Sequence, residues 1–297
     1  MRKPVCNWIS LAAATAALLS GNSGAEDIDI YAKSAEGLVR RENVLIILDN
    51  SANWNADLPF ETSCNDLATG TAIVPAGSTQ AKKKFAVEKC ALYDLITHPS
   101  VKSSPVSIGL MMYNEGTTGS DAGGYPRVRA WPMNEDGHAD HFLAKLKAIS
   151  FNNDQANSGS WAKGFHEAYL YLNQMAPRVG LNQNEYDGAP SASFISGGKY
   201  MLPGGTPCAT HIIFIANGKA AENTDNQAYD LLVNLYRAAA VAGPTKKVYG
   251  QDIAKPDSDN WSDEYAEFMR FHSPTQILTH TISVVGGNSD GKFPAYV

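Results

Sequence analysis

Three short, largely aliphatic runs punctuate this chain, at positions 44–49 (VLIILD), 106–113 (VSIGLMMY) and 212–216 (IIFIA), and 277–285 (ILTHTISVV) reads as the last strand. Branched, apolar runs of this length read as strands covered on both faces, as in a parallel sheet with helices on either side. Residues 126–133 alternate instead, which suits an adjoining, more exposed strand. The alternation DIDIY at 27–31 suggests a short edge strand or an extended lead-in.

Between the runs, apolar positions recur at helical spacing. Residues 82–97 place Phe85, Cys90, Leu92, Leu95 and Ile96 largely on one side, and Pro99 stops the pattern. Further helices are expected at 139–149, at 160–175 with Phe165, Tyr169 and Leu172 on one face, at 227–241 and at 264–271. Two stretches, 51–79 and 178–208, are rich in turn formers. The first is long for a connection in a compact domain and is expected to be anchored or functional; the second reads as a surface excursion. The order strand, helix, strand, strand, helices, strand, helices, strand predicts an α/β fold. Its core would be a doubly wound, mostly parallel sheet flanked by helices and carrying long inserted loops.

The amino terminus changes the picture of where the chain works. Arg2 and Lys3 precede a short apolar segment at 9–19, and Ser23, Gly24 and Ala25 supply small residues before a cut, so residues 1–25 read as an export signal. That segment is too short to span a bilayer, and no later window reaches roughly 18 consecutive apolar residues. Processing would remove two of the 24 basic residues and none of the 30 acidic ones, moving the net charge from −6 to −8. Lys82, Lys83 and Lys84 form the densest basic cluster, far short of a nucleic-acid-binding face. Three cysteines remain, and export favours bridging. Cys64 with Cys90 would tie the loop after the first strand to the following helix. Cys208 either pairs with something outside this chain or is a buried free thiol.

The candidate chemistry sits where the first run ends, in NVLIILDNSAN at 43–53. Asp49, Ser51 and Asn53 carry side-chain oxygens at alternate positions as the chain turns away from the strand, a pattern a hard divalent cation can use. Ser160, or Ser158 as its alternative, opens a helix within NSGS and would add a ligand. Asn217, ending the run at 212–216 before Gly218, would complete the set. With one carboxylate among them, the expectation is weak Mg²⁺ or Ca²⁺ binding or none. The rival reading is a loop whose polar side chains hydrogen-bond one another and cap helices.

Enzymatic patterns are weaker. His138 and His141, with Asp136 and Asp140 beside them, have H-x-x-H spacing, but read more simply as solvated histidines at a helix start. His166-Glu167 lacks the second histidine of a zinc-protease helix, and no G-x-S-x-G follows a strand. Gly197-Gly198 and Gly204-Gly205 lack a phosphate-loop sequel, and no C-x-x-C is present.

NVLIILDNSAN resembles the opening of a von Willebrand factor type A domain, and EDIDIY followed by NVLIILDNS is similar to the amino-terminal region of PilY1-type proteins of type IV pili. SGSWAKGFHEAYLYL, CATHIIFIANGK and ILTHTISVVGG resemble that family's metal-threonine loop and helix, its Cys-strand-Asp/Asn-Gly segment and its last strand. The likeness spans residues 26–297. It implies a metal-ion-dependent adhesion site in which Asp49 and Ser51 match the family pattern. Asn53 stands for a serine, Ser160 or Ser158 for a threonine, and Asn217 for an aspartate. It further implies a non-enzymatic pilus-associated adhesin or biogenesis protein at the outer cell surface, pilus or periplasm. Its partners would be pilus subunits or a cell-surface or matrix protein. Alternatives are a secreted A-domain module unrelated to pili and, less favoured, an exported metal-dependent hydrolase. If the cation is not used, Trp54, Phe60, Tyr125, Trp131, Tyr186 or Phe194 would supply contact area, although local packing is the simpler role for each. The family's carboxy-terminal β-propeller has no counterpart here, so residues 26–297 are expected to be the front portion of a longer protein.

Overall fold

The run at 44–49 becomes the central strand, and its neighbours explain why it is aliphatic throughout. A computed structural model describes residues 42–113, 123–156, 161–178, 195–202, 209–217, 226–242 and 261–284. Strand β1 (Glu42–Leu48) is followed by a hairpin of β2 (Cys64–Asn65) and β3 (Ala72–Val74), then α1 (Lys84–Thr97), the single turn α2 (Pro99–Lys102), and strands β4 (Ser107–Tyr113) and β5 (Gly124–Pro132). Helices α3 (His138–Ala148), α4 (Phe151–Asp154) and α5 (Trp161–Leu172) come next. A second hairpin of β6 (Ile195–Ser196) and β7 (Lys199–Tyr200), β8 (Ala209–Ala216), α6 (Asn226–Ala238), α7 (Ser262–Phe271) and β9 (Ile277–Ser283) complete the order.

Among the described residues, five strands form one mixed, mostly parallel sheet in the order β5-β4-β1-β8-β9. β1 runs parallel to β4 and β8 on its two sides, β8 runs parallel to β9, and only β5 is antiparallel. Successive strand side chains point to opposite faces. Leu45 and Ile47 therefore enter a core with α5, α6 and α7, whereas Ile46 and Leu48 enter one with α1 and α3. A charged residue at any of these four positions would be driven into one core or the other.

Helix α5 departs from the expected one-sided pattern. All twelve of its residues are buried, including Lys163, His166 and Glu167, as in a helix surrounded by protein. Tyr200 reaches it from the β6–β7 hairpin and donates to Glu167 Oε1 at 2.5 Å, so the surface excursion expected at 178–208 contributes core residues at Ile195 and Tyr200. Gly164 lets α5 approach the end of β4 closely, because a Cβ there would lie 2.3 Å from the Tyr113 ring.

The long loop at 51–79 is anchored rather than free. Trp54 is fully buried and packs edge-on against Phe85 at 4.8 Å, and the Cys64–Cys90 disulfide ties β2 to α1. Tyr93 accepts from the Leu67 N–H at 2.7 Å, and Lys147 pairs with Asp66. The three adjacent lysines expected to form one basic cluster separate: Lys82 faces Glu61 at 3.5 Å, Lys83 faces Asp57 at 2.9 Å, and Lys84 is 2% exposed. Among the described residues no helix is long and apolar enough to cross a membrane. The export signal, the DIDIY lead-in, Cys208, Tyr186 and Phe194 lie outside the described residues.

Candidate functional site

β1 and β8 are hydrogen-bonded neighbours, so their polar sequels emerge side by side at the carboxyl edge of the sheet, where open α/β sheets bind ligands. The ladder continues one residue past β1, with Asp49 N–H donating to the Ile215 carbonyl at 2.9 Å. This step brings Asp49 against Asn217. The Asn217 N–H donates to Asp49 Oδ2 at 3.3 Å, and the Asn217 side-chain amide donates to the Asp49 carbonyl oxygen. Ser51 N–H donates to Asp49 Oδ1 at 3.1 Å, and Ser51 Oγ lies 3.4 Å from Asn217 Oδ1.

Three of the sequence-predicted site residues, Asp49, Ser51 and Asn217, are thus gathered into one cluster. Asn53 is not part of it. It lies on a short 3-10 turn, Ala52–Asn55, and is exposed, with its backbone carbonyl capping that turn through the Ala56 N–H at 2.9 Å. Ser158 and Ser160 lie outside the described residues.

Four residues that the sequence reading did not single out as site residues complete the cluster. The Trp161 indole donates to Asp49 Oδ2 at 3.2 Å from the first turn of α5. Asn50 turns the other way and clamps the tips of β1 and β4. Its amide donates to the Tyr113 carbonyl at 2.9 Å and the Asp154 carbonyl at 2.5 Å, and its Oδ1 accepts from the Tyr113 N–H at 2.8 Å. Lys84 donates to the Asn217 carbonyl at 2.6 Å. Glu88, one helical turn after Lys84, accepts from the Trp54 indole at 2.6 Å. A polar residue among apolar neighbours was the one available signal for Lys84 and Glu88, and surface lysines and glutamates give that signal on most helices.

Burial decides the electrostatics. Asp49 is 1% exposed, and its burial pushes the carboxyl above the usual aspartate range, opposed by hydrogen bonds from Ser51, Asn217 and Trp161. Burial also pushes Glu88 well above its ordinary value, with the Asp49 charge adding to the rise while the Trp54 bond and the Lys84 ammonium oppose it. Glu88 Oε1 has no hydrogen-bond partner among the described residues, which suits a carboxyl that keeps its proton.

A pH dependence follows. Below the ordinary glutamate value of 4.5 both the folded and unfolded chains hold the Glu88 proton. Above it the unfolded chain releases the proton first, so the folded state loses roughly 1.4 kcal/mol per pH unit until its own carboxyl ionises. Glu88→Gln keeps the acceptor for Trp54 and removes this loss. Its thermal midpoint is expected to exceed that of the wild type by a margin that widens from pH 4.5 toward 7.5. A margin independent of pH would refute the assignment.

As a donor set for a divalent ion, the described cluster fits poorly. It supplies one carboxylate whose two oxygens already accept N–H bonds, an amide whose nitrogen faces the Asp49 carbonyl, and a lysine ammonium one peptide group away. Such ions take several oxygen ligands and gain affinity from the charge those ligands carry.

The enzyme-like patterns resolve into packing. His138 is 2% exposed rather than solvated, and its Nε2 lies 2.9 Å from the Ile108 carbonyl, so it joins α3 to β4. His166 Nδ1 lies 3.3 Å from the Tyr265 hydroxyl, and burial, reinforced by the Arg178 charge, lowers its pKa to about 3. Among the described residues no group of three or more His, Cys, Asp or Glu side chains gathers as a metal site. A cavity of about 480 Å³ opens between α5, α7 and β9, lined by Trp161, Phe165, Phe214, Arg270 and Thr281. Trp161 is shared between this cavity and the Asp49 cluster.

No protein-family model matches the chain, and no curated protein matches it. Several solved structures are distantly similar, three of which follow. Proximal thread matrix protein 1 from the mussel byssus is 9% identical with a TM-score of 0.37; the match covers 82% of this chain and 38% of that one. The conserved hypothetical protein BatB from Bacteroides thetaiotaomicron is 11% identical with a TM-score of 0.34, over 85% of this chain and 95% of that one. The VWA domain of SpRpn10 is 10% identical with a TM-score of 0.33, over 83% of this chain and 90% of that one. The chain therefore spans well under half the length of the mussel protein.

Proposed function

We propose that this chain is an exported binding protein of the A-domain type that engages a protein partner through the loop face of its sheet, without turnover. The observation that carries the reading is the meeting of the β1 and β8 tips, with Asp49, Ser51 and Asn217 held in one hydrogen-bonded cluster. The anchored loop at 51–83 leaves the sheet at this edge, and along it Phe60 is 54% exposed and Leu67 is 77% exposed. Trp54 and Tyr125, two of the aromatics expected to supply contact area, are buried and serve packing. Half-buried Trp131 lies under the Arg129 guanidinium at 4.2 Å.

The narrower reading is a type IV pilus-associated role in attachment or biogenesis, with pilus subunits as the partner. The sequence resemblance of EDIDIY and NVLIILDNS supports it, and the Cys64–Cys90 disulfide suits an oxidising, extracytoplasmic setting. Surface plasmon resonance of the full chain against purified type IV pili, with immobilised matrix proteins in parallel, tests both levels. Ser51→Arg and Phe60→Ala, each checked for folding by circular dichroism, are expected to weaken binding by roughly tenfold or more. Binding to matrix but not pili would favour a secreted module of other purpose. Binding to either surface that neither variant weakens would remove the loop face as the contact.

A further inference from the structure

Two histidines outside the strand-tip cluster face each other across β8 and β9. In the parallel register His211 lies beside Leu278, and Ile213 lies beside His280. Residues two apart on a strand share a face, so these four side chains stand on one side of the sheet. Ile213 packs at the margin of the core that contains α1 and α3. Among the described residues β9 is open on this side, with His280 exposed and Ile282 51% exposed, while His211 is half-buried. His211 Nδ1 and His280 Nε2 lie 3.1 Å apart, with the ring centroids 5.4 Å apart and the planes 25° from parallel.

We infer that this pair is a binding site for a divalent transition-metal ion of the zinc class, held by the two facing imidazole nitrogens. Zn–N bonds of about 2.0–2.1 Å, meeting at angles of about 90–110°, place neighbouring nitrogen ligands roughly 2.9–3.4 Å apart. The separation of 3.1 Å falls within that window. Imidazole suits Zn²⁺, Cu²⁺ and Ni²⁺, whereas Mg²⁺ and Ca²⁺ take oxygen ligands. The site therefore differs in kind from the Asp49 cluster. It also differs in place, because the chain from His211 to Asn217 covers about 20 Å of extended strand.

In the hydrogen-bonded pair one facing nitrogen carries a proton and the other accepts it. Ligation by both places that proton on the outer nitrogen of the same ring, His211 Nε2 or His280 Nδ1, so that two lone pairs meet the ion. A neutral pair makes this change of tautomer without a net loss of protons. The two nitrogens now point at each other, and their lone pairs converge on one ion when a ring swings aside. The exposure of His280 permits that swing. The bound ion staples β9, which ends the sheet among the described strands, to β8. With two protein ligands it keeps further positions for water or for a partner's side chain.

The test is isothermal titration calorimetry of the full chain with Zn²⁺, with thermal unfolding in parallel. The wild type is expected to give binding heat and a rise in Tm that a chelator reverses. His211→Gln and His280→Gln, each checked for folding by circular dichroism, are expected to weaken the binding by roughly tenfold or more. The double variant should weaken it little further than either alone, because two ligands on one ion act as a unit. If His211→Gln does not fold, His280→Gln, made on an exposed side chain, decides the matter by itself. A wild type that gives no heat up to about 1 mM Zn²⁺ would overturn the inference. Heat that survives undiminished in His280→Gln would overturn it too, by placing the ion at other histidines. No partner takes part in either readout, so the result stands apart from the pilus and matrix binding assay.

Discussion

Replacing Asn50 by leucine is expected to lower the unfolding free energy by about 3–5 kcal/mol, the largest single-residue effect anticipated outside the two cores. The side chain is 1% exposed and serves three backbone groups: the carbonyl and N–H of Tyr113 and the carbonyl of Asp154. Leucine keeps the branched outline, somewhat enlarged, and removes every one of these bonds. Each buried backbone group left without a partner costs roughly 1–3 kcal/mol. The loss should appear in urea unfolding as a lower midpoint with an unchanged slope. Asn50→Asp provides a second reading. An ionised aspartate still accepts from the Tyr113 N–H but confronts two carbonyl oxygens, so the variant is expected to be weaker at neutral pH than in acid, where a protonated carboxyl can donate. A leucine variant within 1 kcal/mol of the wild type would show that the clamp is not what holds the β1 and β4 tips together.

Removing the Cys64–Cys90 bridge, as Cys64→Ala with Cys90→Ala, is expected to cost about 3 kcal/mol, from the entropy released to a 26-residue separation in the unfolded chain. For a domain of this size that corresponds to a fall in Tm of roughly 5–10 °C. The bridge acts together with the Tyr93 bond to the Leu67 N–H and the Lys147–Asp66 pair, and the apolar support for the hairpin of β2 and β3 is small. The small cluster beneath it consists of Val74, Ala81, Ala86 and Cys90, with Cys64 and Ile73 partly buried against it. Limited proteolysis should therefore cut the oxidised wild type slowly and the double variant rapidly between residues 56 and 83, while the five-stranded sheet survives. Equal cleavage rates in the two proteins would place the anchoring in Trp54, Tyr93 and the Lys147–Asp66 pair instead.

The loss of Asn50 and the loss of the bridge differ in where they act. The first removes interactions made in the folded state. The second mainly enlarges the unfolded ensemble, so it should change thermal stability more than the geometry of the Asp49 cluster. Partner binding measured below the unfolding range is expected to fall in both, through the disturbed strand tips in Asn50→Leu and through the loosened loop that carries Phe60 in the bridge variant.

What the sequence by itself determined is the layered core and the two strand ends at which Asp49, Ser51 and Asn217 meet. Aliphatic runs at 44–49, 106–113 and 212–216 could be satisfied only by strands covered on both sides, and they are β1, β4 and β8. The alternation at 126–133 placed β5 beside β4, where it is the antiparallel edge, but the expected greater exposure is absent, since none of its nine residues is exposed, and it is β9 that carries the exposed positions. Asp49, Ser51 and Asn217 were legible because each follows directly on such a run, so the strand itself delivers them to the sheet edge. Tertiary structure alone decided what surrounds them. Lys84 looked like one of three surface lysines, and only the docking of α1 beside the tip of β8 buries it. His138 and all of α5 are buried by neighbours distant in sequence, which periodicity within a segment does not report. Hydrophobic spacing encodes which face of an element turns inward. The charge state and partners of a polar side chain depend on what folds over it, and that information is spread across the chain.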